Sequence, residues 1–438
     1  MYKCIFVNAA TAAFLFYAFG TAQAVELQSH LSAQGRYSVQ KYQKSSPVSP
    51  TRYSSTGSQV FDVESLLSSQ AIINDYIQGD VSIALGWQQH DHTEKHEIRL
   101  LTGGMTATNE AQTQRLTAGK LAVHWSQDSL FHPIDFFGRY NQPKSTLGIN
   151  RIDYFHREGE PMVRWQGSTN TISYDFIWAD ASKKGSMSTS QQFAGRGLFQ
   201  LDEMEVSLIA EKSASYKPRW GATWSQGIGE QWTLYSEYLL SKNRDIPRLV
   251  EVSPEISLGS NGALPARYAY KQNTHGRNWQ KLLVTLRYAL QQGGSVEGTF
   301  FYNGDGMNDR EWDHWVSRQK SVARTLSDDG IIPWLQNGNS YISMLGDSAR
   351  LMQNNYLRRY YASVRYDSID RFTQGSVEVN LIYGLEDNSL TLWTEGQYPL
   401  TSHLYLKPFI MLQTTAQGEG AMTPVNSLVG VNFNYTFF

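Results

Sequence analysis

Apolar and polar residues alternate one by one along most of the chain. Val377, Val379, Leu381 and Tyr383 form one such row near the C-terminus. The same period runs through other stretches, including Ile172–Trp178, Leu282–Tyr288, Val296–Tyr302 and Leu404–Leu412. A period of two is that of a β-strand, and about ten residues is the length that a tilted strand needs to cross a bilayer. The pattern therefore predicts an all-β fold, a transmembrane antiparallel β-barrel with a polar lumen.

Large soluble β-sandwiches and β-helices also alternate in this way. Their strands are usually nearer about 5–6 residues, and no fixed repeat length occurs in this chain. Aromatic side chains lie near the ends of the apolar faces, as in the girdles of outer-membrane barrels; they are Trp178, Tyr288, Tyr302, Tyr366 and Tyr383. The girdle pattern favours the membrane barrel.

The connections between strands are of two kinds. Three are tight turns, at Asp202-Glu203, Gly227–Glu230 and Gln291–Gly294. Three are long and polar, at Val39–Ser58, Lys242–Asn278 and Gly304–Asn354. Outer-membrane barrels have short turns in the periplasm and long loops outside, so we expect the three long connections to be extracellular.

Counting strands from both ends gives about 18, with 16 as the alternative. The count depends on Gly148–Phe155 and Pro161–Gln166, which are two strands or one interrupted strand. An even number is the rule in bacterial single-chain barrels and places both termini at one end. The two stretches are therefore merged into one strand.

The first 24 residues have the features of a secretory signal peptide. Lys3 precedes the mostly apolar stretch Ile5–Phe19, and Ala22-Gln23-Ala24 is a small-x-small cleavage site. A short membrane anchor is the alternative, but no stop-transfer charges follow. Cys4, the only cysteine, lies in this segment, so residues 25–438 have no thiol for a disulfide, a metal site or a nucleophile. We expect residues 25–438 to form one barrel domain.

The composition agrees with an exported barrel. Of the 438 residues, 41% are apolar, 13% are aromatic and 18% are charged, and the net charge is −2. These values argue against a bundle of transmembrane helices and against disorder. A net charge near zero gives no reason to expect nucleic acid as a partner.

The last residues resemble the closing strand of bacterial outer-membrane proteins. Val431, Phe433, Tyr435 and Phe437 share one face, while Phe438 falls on the opposite parity. In that family, an aromatic C-terminal strand is the signal for the barrel assembly machinery. The resemblance implies that machinery as a partner, outer-membrane lipids and lipopolysaccharide as surroundings, and the outer membrane of a Gram-negative bacterium as the location.

A second resemblance covers about 50 residues, from Ala111 to Asp153. It rests on Gly119–Trp125 and on Leu130–Phe137, which resemble a Gly-Arg/Lys…Trp strand followed by an apolar-x-Pro-x-Asp segment in alginate-export-like and related porin-like barrels. Ser126 stands where a Gly usually follows the Trp. The resemblance implies location and transport more than a particular substrate.

Charges that alternate with apolar residues are expected to face the lumen, because an Arg or Lys facing lipid at mid-depth costs about 2–4 kcal/mol. The predicted pore-lining residues are Lys120, His124, Arg151, Arg164, Arg196, Lys281, Arg287, Glu297, Arg365, Glu378 and Lys407. Asp153, Asp175, Glu205 and Glu395 are further inward carboxylates. Cations lead slightly, by a margin too small to predict the charge selectivity of the channel.

Two segments are candidates for a plug or constriction. In the first, Pro133 ends strand pairing, and we expect the segment with Phe131, His132, Pro133 and Asp135 to fold inward; an ordinary extracellular loop is the alternative. Before it, the alternation places Thr117, Leu121, Val123 and Trp125 towards lipid.

The second candidate is Gly304–Asn354, which is too long for an ordinary connection. Trp312, Trp315 and Trp334 are apolar anchors, and Ile342, Leu345, Ala349 and Met352 have the spacing of a short amphipathic helix. Folded inward, the loop would bring Arg318, Lys320, Arg324 and Arg350 to the pore. The alternative is a loop packed on its neighbours above the rim.

No catalytic, metal-binding or cofactor-binding residue is predicted. His90-Asp91-His92 with His96, and the acidic group Asp305, Asp309, Glu311 and Asp313, favour ordinary solvated loops over metal sites. Ser126, His124, Asp128 and Asp135 lie near one another, but no nucleophile elbow surrounds the serine.

The sequence therefore predicts an outer-membrane channel, porin-like or exporter-like, for hydrophilic solutes or polymer. A non-transporting surface-binding or structural barrel is the alternative, and an outer-membrane enzyme is a third.

Overall fold

The structure is a computed structural model of the chain. It describes residues 26–42, 46–47, 59–90, 93–128, 130–137, 159–180, 191–214, 217–253, 256–257, 263–264, 267–271, 277–291, 293–328, 344–348, 351–352, 356–369, 375–414, 418–423 and 425–437. The signal peptide predicted at residues 1–24 lies outside these ranges, as do Gly148–Phe155, Arg151, Arg350 and Phe438.

Eighteen antiparallel strands form one closed barrel. Each pairs with its neighbours along the chain, and the last strand pairs with the first. The prediction of 18 strands is confirmed, and the alternative of 16 is wrong. The strands are β1 (Glu26–Tyr42), β2 (Gln59–Asn74), β3 (Ile77–His90), β4 (Thr93–Thr108), β5 (Gln114–Leu121), β6 (Glu160–Ser168), β7 (Ile172–Asp180), β8 (Gln191–Leu201), β9 (Met204–Ser213), β10 (Arg219–Ile228), β11 (Trp232–Ser241), β16 (Trp279–Ala289), β17 (Ser295–Asn303), β18 (Tyr360–Ile369), β19 (Ser376–Gly384), β20 (Leu390–Pro399), β21 (Leu404–Gln413) and β22 (Val425–Thr436).

Alternation along the strands separates an apolar outer face from an inner face of mixed polarity. Phe193 and Leu208 are exposed on the outside by 58% and 57%, whereas their chain neighbours Ala194 and Ile209 are buried inside. On β16, Leu286 is exposed outside while Leu283 and Thr285 are buried inside. This is the two-residue period read from the sequence, with the larger apolar side chains directed to lipid.

Aromatic pairs mark both ends of the outer face. At the turn end, the rings of Trp232 and Tyr288 lie 4.6 Å apart. At the loop end, Tyr302 and Tyr360 lie 5.2 Å apart. These positions agree with two interfacial girdles.

All three long connections leave the same end of the barrel, and the three short turns lie at the other end. Two boundaries differ from the sequence prediction: β1 extends through Val39 to Tyr42, and β10 extends to Ile228. Strand pairing with β22 and β11 holds these residues in the sheet, although their sequence is polar or contains glycine. Both ends of the described chain lie at the turn end.

The long connections contain structure of their own. Lys242–Asn278 holds the short pairs β12 (Arg248–Ser253) with β15 (Arg267–Lys271), and β13 (Ile256–Ser257) with β14 (Ala263–Leu264). Gly304–Asn354 holds helix α1 (Asp309–Asp328). Helix α2 (Gly418–Met422) precedes β22.

Helix α1 was not predicted from the sequence, although its start carries a capping box. The Glu311 N–H donates to Asn308 Oδ1 at 2.9 Å, and the Asn308 N–H donates to Glu311 Oε2 at 3.4 Å. Further along, residues 344–348 are helical, within the stretch predicted as an amphipathic helix. Ile342 and Ala349 of that prediction lie outside the described residues. Among the helices that the structure describes, none has the length and apolar character to span a membrane.

Candidate functional site: a segment folded into the lumen

The chain leaves the barrel wall after Leu121. Gly119 has a φ of +152°, and a Cβ there would clash with the carbonyl oxygen of Gly103 on β4, so the position needs glycine. Residues 122–128 and 130–137 follow as a non-helical stretch, which we call the luminal segment. The wall resumes at β6.

The predicted lipid contacts of this region are wrong. Thr117 is buried and shares a hydrogen bond of 3.0 Å with Thr106, while Leu121, Val123 and Trp125 belong to an interior cluster. The alternation assumed that the strand continues to Trp125. The strand ends at Leu121 instead, and on it Leu116, not Thr117, is exposed outside.

Apolar side chains fasten the luminal segment to the inner wall. Val123, Trp125, Ile134, Phe136 and Phe137 are buried against inward residues of β6 to β11, namely Met162, Ile177, Ala179, Ala194, Ile209 and Leu239. Leu130 and Phe131 are buried against Tyr235, Leu283, Phe301 and Tyr361. The rings of Phe131 and Phe301 stack at 4.8 Å. The segment thus lies inside the barrel, along the wall from β6 to β18.

A buried carboxyl group on β11 also holds the luminal segment, through hydrogen bonds. Glu237 is 0% exposed, and its Oε1 accepts hydrogen bonds from the Ser126 hydroxyl at 2.6 Å and from the Gln127 N–H at 3.0 Å. The phenolic oxygen of Tyr235 accepts a further bond from the Gln127 N–H at 3.1 Å. Ser126 therefore holds the segment to the wall.

Asp128 forms further hydrogen bonds between the luminal segment and the wall. Its Oδ1 accepts from the N–H groups of Leu130 and Phe131, both at 2.7 Å, and its Oδ2 accepts from the hydroxyls of Thr285 and Thr299 at 3.2 and 3.3 Å. Burial raises the pKa of Asp128, and the four hydrogen bonds partly offset this shift. The side chain fixes the turn that carries Phe131.

His124 and Asp135 join the two ends of the segment. His124 Nδ1 and Asp135 Oδ2 are 2.9 Å apart, and the His124 and His132 rings meet edge to face at 5.0 Å. Asp135 is buried and His124 is partly exposed. The structure therefore brings three predicted residues, His124, His132 and Asp135, into one cluster inside the barrel.

A cavity of about 410 Å³ lies beside the segment, towards the turn end. Arg164 donates to Asp175 through Nε at 2.9 Å and Nη2 at 2.6 Å, and Trp125 Nε1 donates to the same carboxylate at 3.0 Å. Arg196 also lines the cavity. Of the predicted pore-lining residues, His124, Arg164 and Arg196 meet here.

A second group of predicted residues forms a network across β16 to β19. Glu297 lies between Arg287 at 3.5 Å and Arg365 at 3.7 Å, and Arg365 lies 3.2 Å from Glu378. Arg287 is 54% exposed and faces the lumen by alternation. These four residues form one charged stretch of inner wall.

The remaining predicted pore-lining residues lie elsewhere. Lys281 is buried at the loop end, 2.7 Å from Asp245 and 2.9 Å from Asp305. Lys120 donates to the backbone carbonyl of Leu100. Lys407 is half-buried on the inner face of β21, opposite Asn432.

Helix α1 packs on other loops at the loop end. Trp312, Trp315 and Val322 are buried with Ile246, Leu249, Met344, Leu345, Met352, Leu357 and Met422. Arg318 donates to the Leu249 carbonyl at 2.6 Å, and Arg324 is exposed. The helix therefore packs on neighbouring loops, which was the alternative to an inward fold. A constricting role for Arg318 and Arg324 stays a prediction.

The expectation of solvated carboxylates in this loop is wrong for Asp305, which is 0% exposed and paired with Lys281. Glu311 binds Arg244 at 3.1 Å and Arg248 at 2.6 Å; burial opposes its charge, but the two guanidinium groups lower its pKa. Asp309 pairs with Arg358. In the part of the chain that is described, no group of three His, Cys, Asp or Glu side chains has the arrangement of a metal site.

Sequence reasoning missed Glu237 as a site residue. The signal was present, because Glu237 alternates with the outward residues Tyr238 and Ser236 and must face inward. Its partner Ser126 was considered only as a nucleophile. The contact joins residues 111 positions apart, which no local pattern specifies.

No protein-family model matches the sequence, and no curated protein sequence is similar to it. Solved structures match the fold along nearly the whole chain. Pseudomonas aeruginosa OccK5 (OpdH) has a TM-score of 0.53 at 10% identity, covering 94% of this chain and 98% of that one. P. aeruginosa OprD has a TM-score of 0.52 at 8% identity, covering 96% and 97%. The outer membrane protein OpdK of P. aeruginosa has a TM-score of 0.52 at 8% identity, covering 94% and 98%.

At these identities the similarity concerns the fold. The chain shares the fold of these proteins, which agrees with the predicted antiparallel β-barrel. The resemblance to alginate-export-like barrels stays a prediction.

Proposed function

We propose that the chain is a channel of the Gram-negative outer membrane that passes small hydrophilic solutes past the luminal segment. The observation that carries the proposal is that this segment is fixed inside a closed barrel by buried polar and apolar contacts. A segment held in the lumen narrows the passage. The charged side chains of the inner wall keep that passage hydrated.

The location is supported by the outer face, which is apolar between two aromatic girdles. The similar OpdK is named an outer membrane protein, and it has a crystal structure with vanillate. We infer that this chain lies in the same kind of membrane, surrounded by lipid and lipopolysaccharide. Its C-terminal strand would be the part recognised by the barrel assembly machinery.

The inner wall suits polar solutes without requiring catalysis. Arg164 and Asp175 present charges of both signs beside the cavity, and Arg365 and Glu378 do so on another stretch of the inner wall. The Ser126 hydroxyl is committed to Glu237 in a structural tie. A channel uses these groups to replace water around a passing solute.

Single-channel recording in planar bilayers tests the proposal. We expect discrete conductance steps from the purified protein. Replacing residues 126–133 by a Gly/Ser stretch of equal length should raise the conductance. The replacement removes Phe131 and the hydrogen bonds that involve Glu237 and Asp128.

Phe193→Ala on the lipid face is the control and should leave the conductance unchanged. A correctly assembled protein without conductance would contradict the channel and favour a surface-binding or structural barrel. Equal conductance with and without the native segment would contradict its role in narrowing the passage.

A further inference from the structure

The two ends of the barrel differ in charge. The described turns at the turn end contain five carboxylates and neither Lys nor Arg; the carboxylates are Asp75, Glu110, Asp202, Glu203 and Glu230. All five are exposed. The turn end is thus ringed by negative charge.

The strand ends beside these turns also hold more carboxylates than cations, although Arg287 and Arg365 pair with Glu297 and Glu378. Their last three positions at this end hold five carboxylates and two arginines; the carboxylates are Glu26, Glu205, Glu297, Asp367 and Glu378. Asp367 lies directly opposite Glu378, and Glu378 lies opposite Glu395 on the next strand. Like charges in opposite positions are unfavourable for folding, and here Arg365, at 3.2 Å from Glu378, offsets one of the three.

The loop end shows the contrast. There, Arg244 and Arg248 bind Glu311, and Lys281 binds both Asp245 and Asp305. These charges neutralise one another in short ion pairs. Exposed carboxylates of the loop end such as Glu94 and Asp313 lie among exposed cations such as Lys95, Lys320 and Arg324. Among the described residues, the excess of negative charge therefore lies at the turn end.

We propose that the carboxylates of the turn end, which we call the acidic vestibule, make the channel selective for cations and cationic solutes. The inference rests on the proposed channel function. Rings of Asp and Glu side chains are the means by which cation channels raise the local cation concentration and repel anions. The carboxylates are distributed around the mouth, so they act through their summed field and need no single ion site.

Exposed charges act over the Debye length, which is about 10 Å at 0.1 M salt and about 3 Å at 1 M. The selectivity is therefore expected to depend on ionic strength. The slight excess of cations among the inward strand residues does not include the turns, which carry the five exposed carboxylates.

The test is the reversal potential of the reconstituted channel under a KCl gradient. We expect K⁺ to be favoured over Cl⁻ near 0.1 M, with the permeability ratio approaching one near 1 M. The triple variant Asp202→Asn, Glu203→Gln, Glu230→Gln should shift the reversal potential towards zero at low salt. Asp202 has a φ of +49°, a conformation that Asn tolerates, so the turn should be kept.

The matched control neutralises three exposed carboxylates at the loop end, by Glu94→Gln, Glu251→Gln and Asp313→Asn. It should change the reversal potential less than the turn-end variant does. Anion selectivity of the native channel, or an equal effect of the two triple variants, would overturn the vestibule while leaving the channel intact. Absence of any conductance would overturn the proposed function and this inference together.

Discussion

At the scale of single residues, the interior of the barrel depends on carboxyl groups placed where water does not reach. Glu237 on the wall and Asp128 and Asp135 on the luminal segment are each less than 10% exposed, and all three hold the segment in place through hydrogen bonds. Burying such groups is unfavourable unless donors satisfy them. Ser126 and Gln127 of the segment donate to Glu237, and Thr285 and Thr299 of the wall donate to Asp128, so segment and wall stabilise each other.

Ser126→Ala tests one of these ties. The variant removes the 2.6 Å hydrogen bond to Glu237, and leaving a buried carboxyl oxygen without that donor should cost about 1–3 kcal/mol. We expect a looser segment, seen as more frequent current fluctuations and a lower urea midpoint of unfolding. Ser225→Ala, at a half-buried inward serine of β10, is the control. If the two variants show the same current fluctuations and the same urea midpoint of unfolding, the Ser126–Glu237 hydrogen bond does not hold the segment in place.

Asp305 predicts a pH dependence at the loop end. It is fully buried, and burial raises its pKa to about 6, against the opposing effect of Lys281 at 2.9 Å. In the unfolded chain its pKa returns to the ordinary value of 3.8. Between about pH 4 and 6 the folded state holds a proton that the unfolded state lacks, so this group adds stability as the pH falls through that window and loses it as the pH rises.

Asp305→Asn should therefore flatten the change in melting temperature between pH 6 and 4, measured on the protein in detergent. Asp313→Asn, an exposed carboxylate of the same loop, should keep the native slope. If the Asp305 variant retains the native slope, the buried carboxyl does not titrate as argued.

At the scale of elements, the strands follow from the sequence because alternation is local. Ile172–Trp178 and Leu282–Tyr288 lie inside β7 and β16, and the tight turn at Asp202-Glu203 is found as predicted. The strand boundaries follow less well, since β1 continues to Tyr42 through pairing with β22. A partner strand, and not the local pattern, decides where a strand ends.

The candidate site followed from the sequence only in part. The apolar-x-Pro-x-Asp stretch marked the luminal segment, but the parity of Val123 and Trp125 was wrong because the strand stops at Leu121. Helix α1 was not predicted although Asn308 and Glu311 form its capping box, because the apolar spacing of that loop pointed to a helix only around Leu345. Contacts such as Ser126 with Glu237 join distant positions and need the closed barrel.

Helix α1 allows a test of how the loop end controls access. We expect excision of Val316–Asn354, with a short Gly/Ser linker, to raise the conductance, because it removes much of the loop cluster built on Trp312 and Trp315 at the loop end of the barrel. Asn308→Ala is a milder variant that removes the helix cap, which is worth about 1 kcal/mol, and should raise protease sensitivity without altering the pore. An assembled excision variant with native conductance would assign the helix to the surface alone.

At the scale of the whole molecule, closure between β22 and β1 holds the barrel together. The two strands pair from Ser32 with Thr436 to Tyr42 with Val425, so β22 supplies the second neighbour that β1 needs in the sheet. A closed sheet leaves no edge with unpaired backbone groups, which a membrane cannot tolerate.

Deleting Tyr435–Phe438 removes the end of this seam. Ala33 and Ser32 would lose their partners, and the outward ring of Tyr435, which packs 4.6 Å from Phe437, would be lost with it. We expect the truncated chain to lack heat-modifiable migration on gels and to be degraded before it reaches the membrane. Tyr435→Leu is the matched control, because it keeps the backbone pairing and an apolar outward side chain, and it should assemble. Normal assembly of the truncated chain would show that the barrel closes without its C-terminal residues. If the Tyr435→Leu variant fails to assemble, assembly depends on the aromatic ring and not on the pairing of β22 with β1.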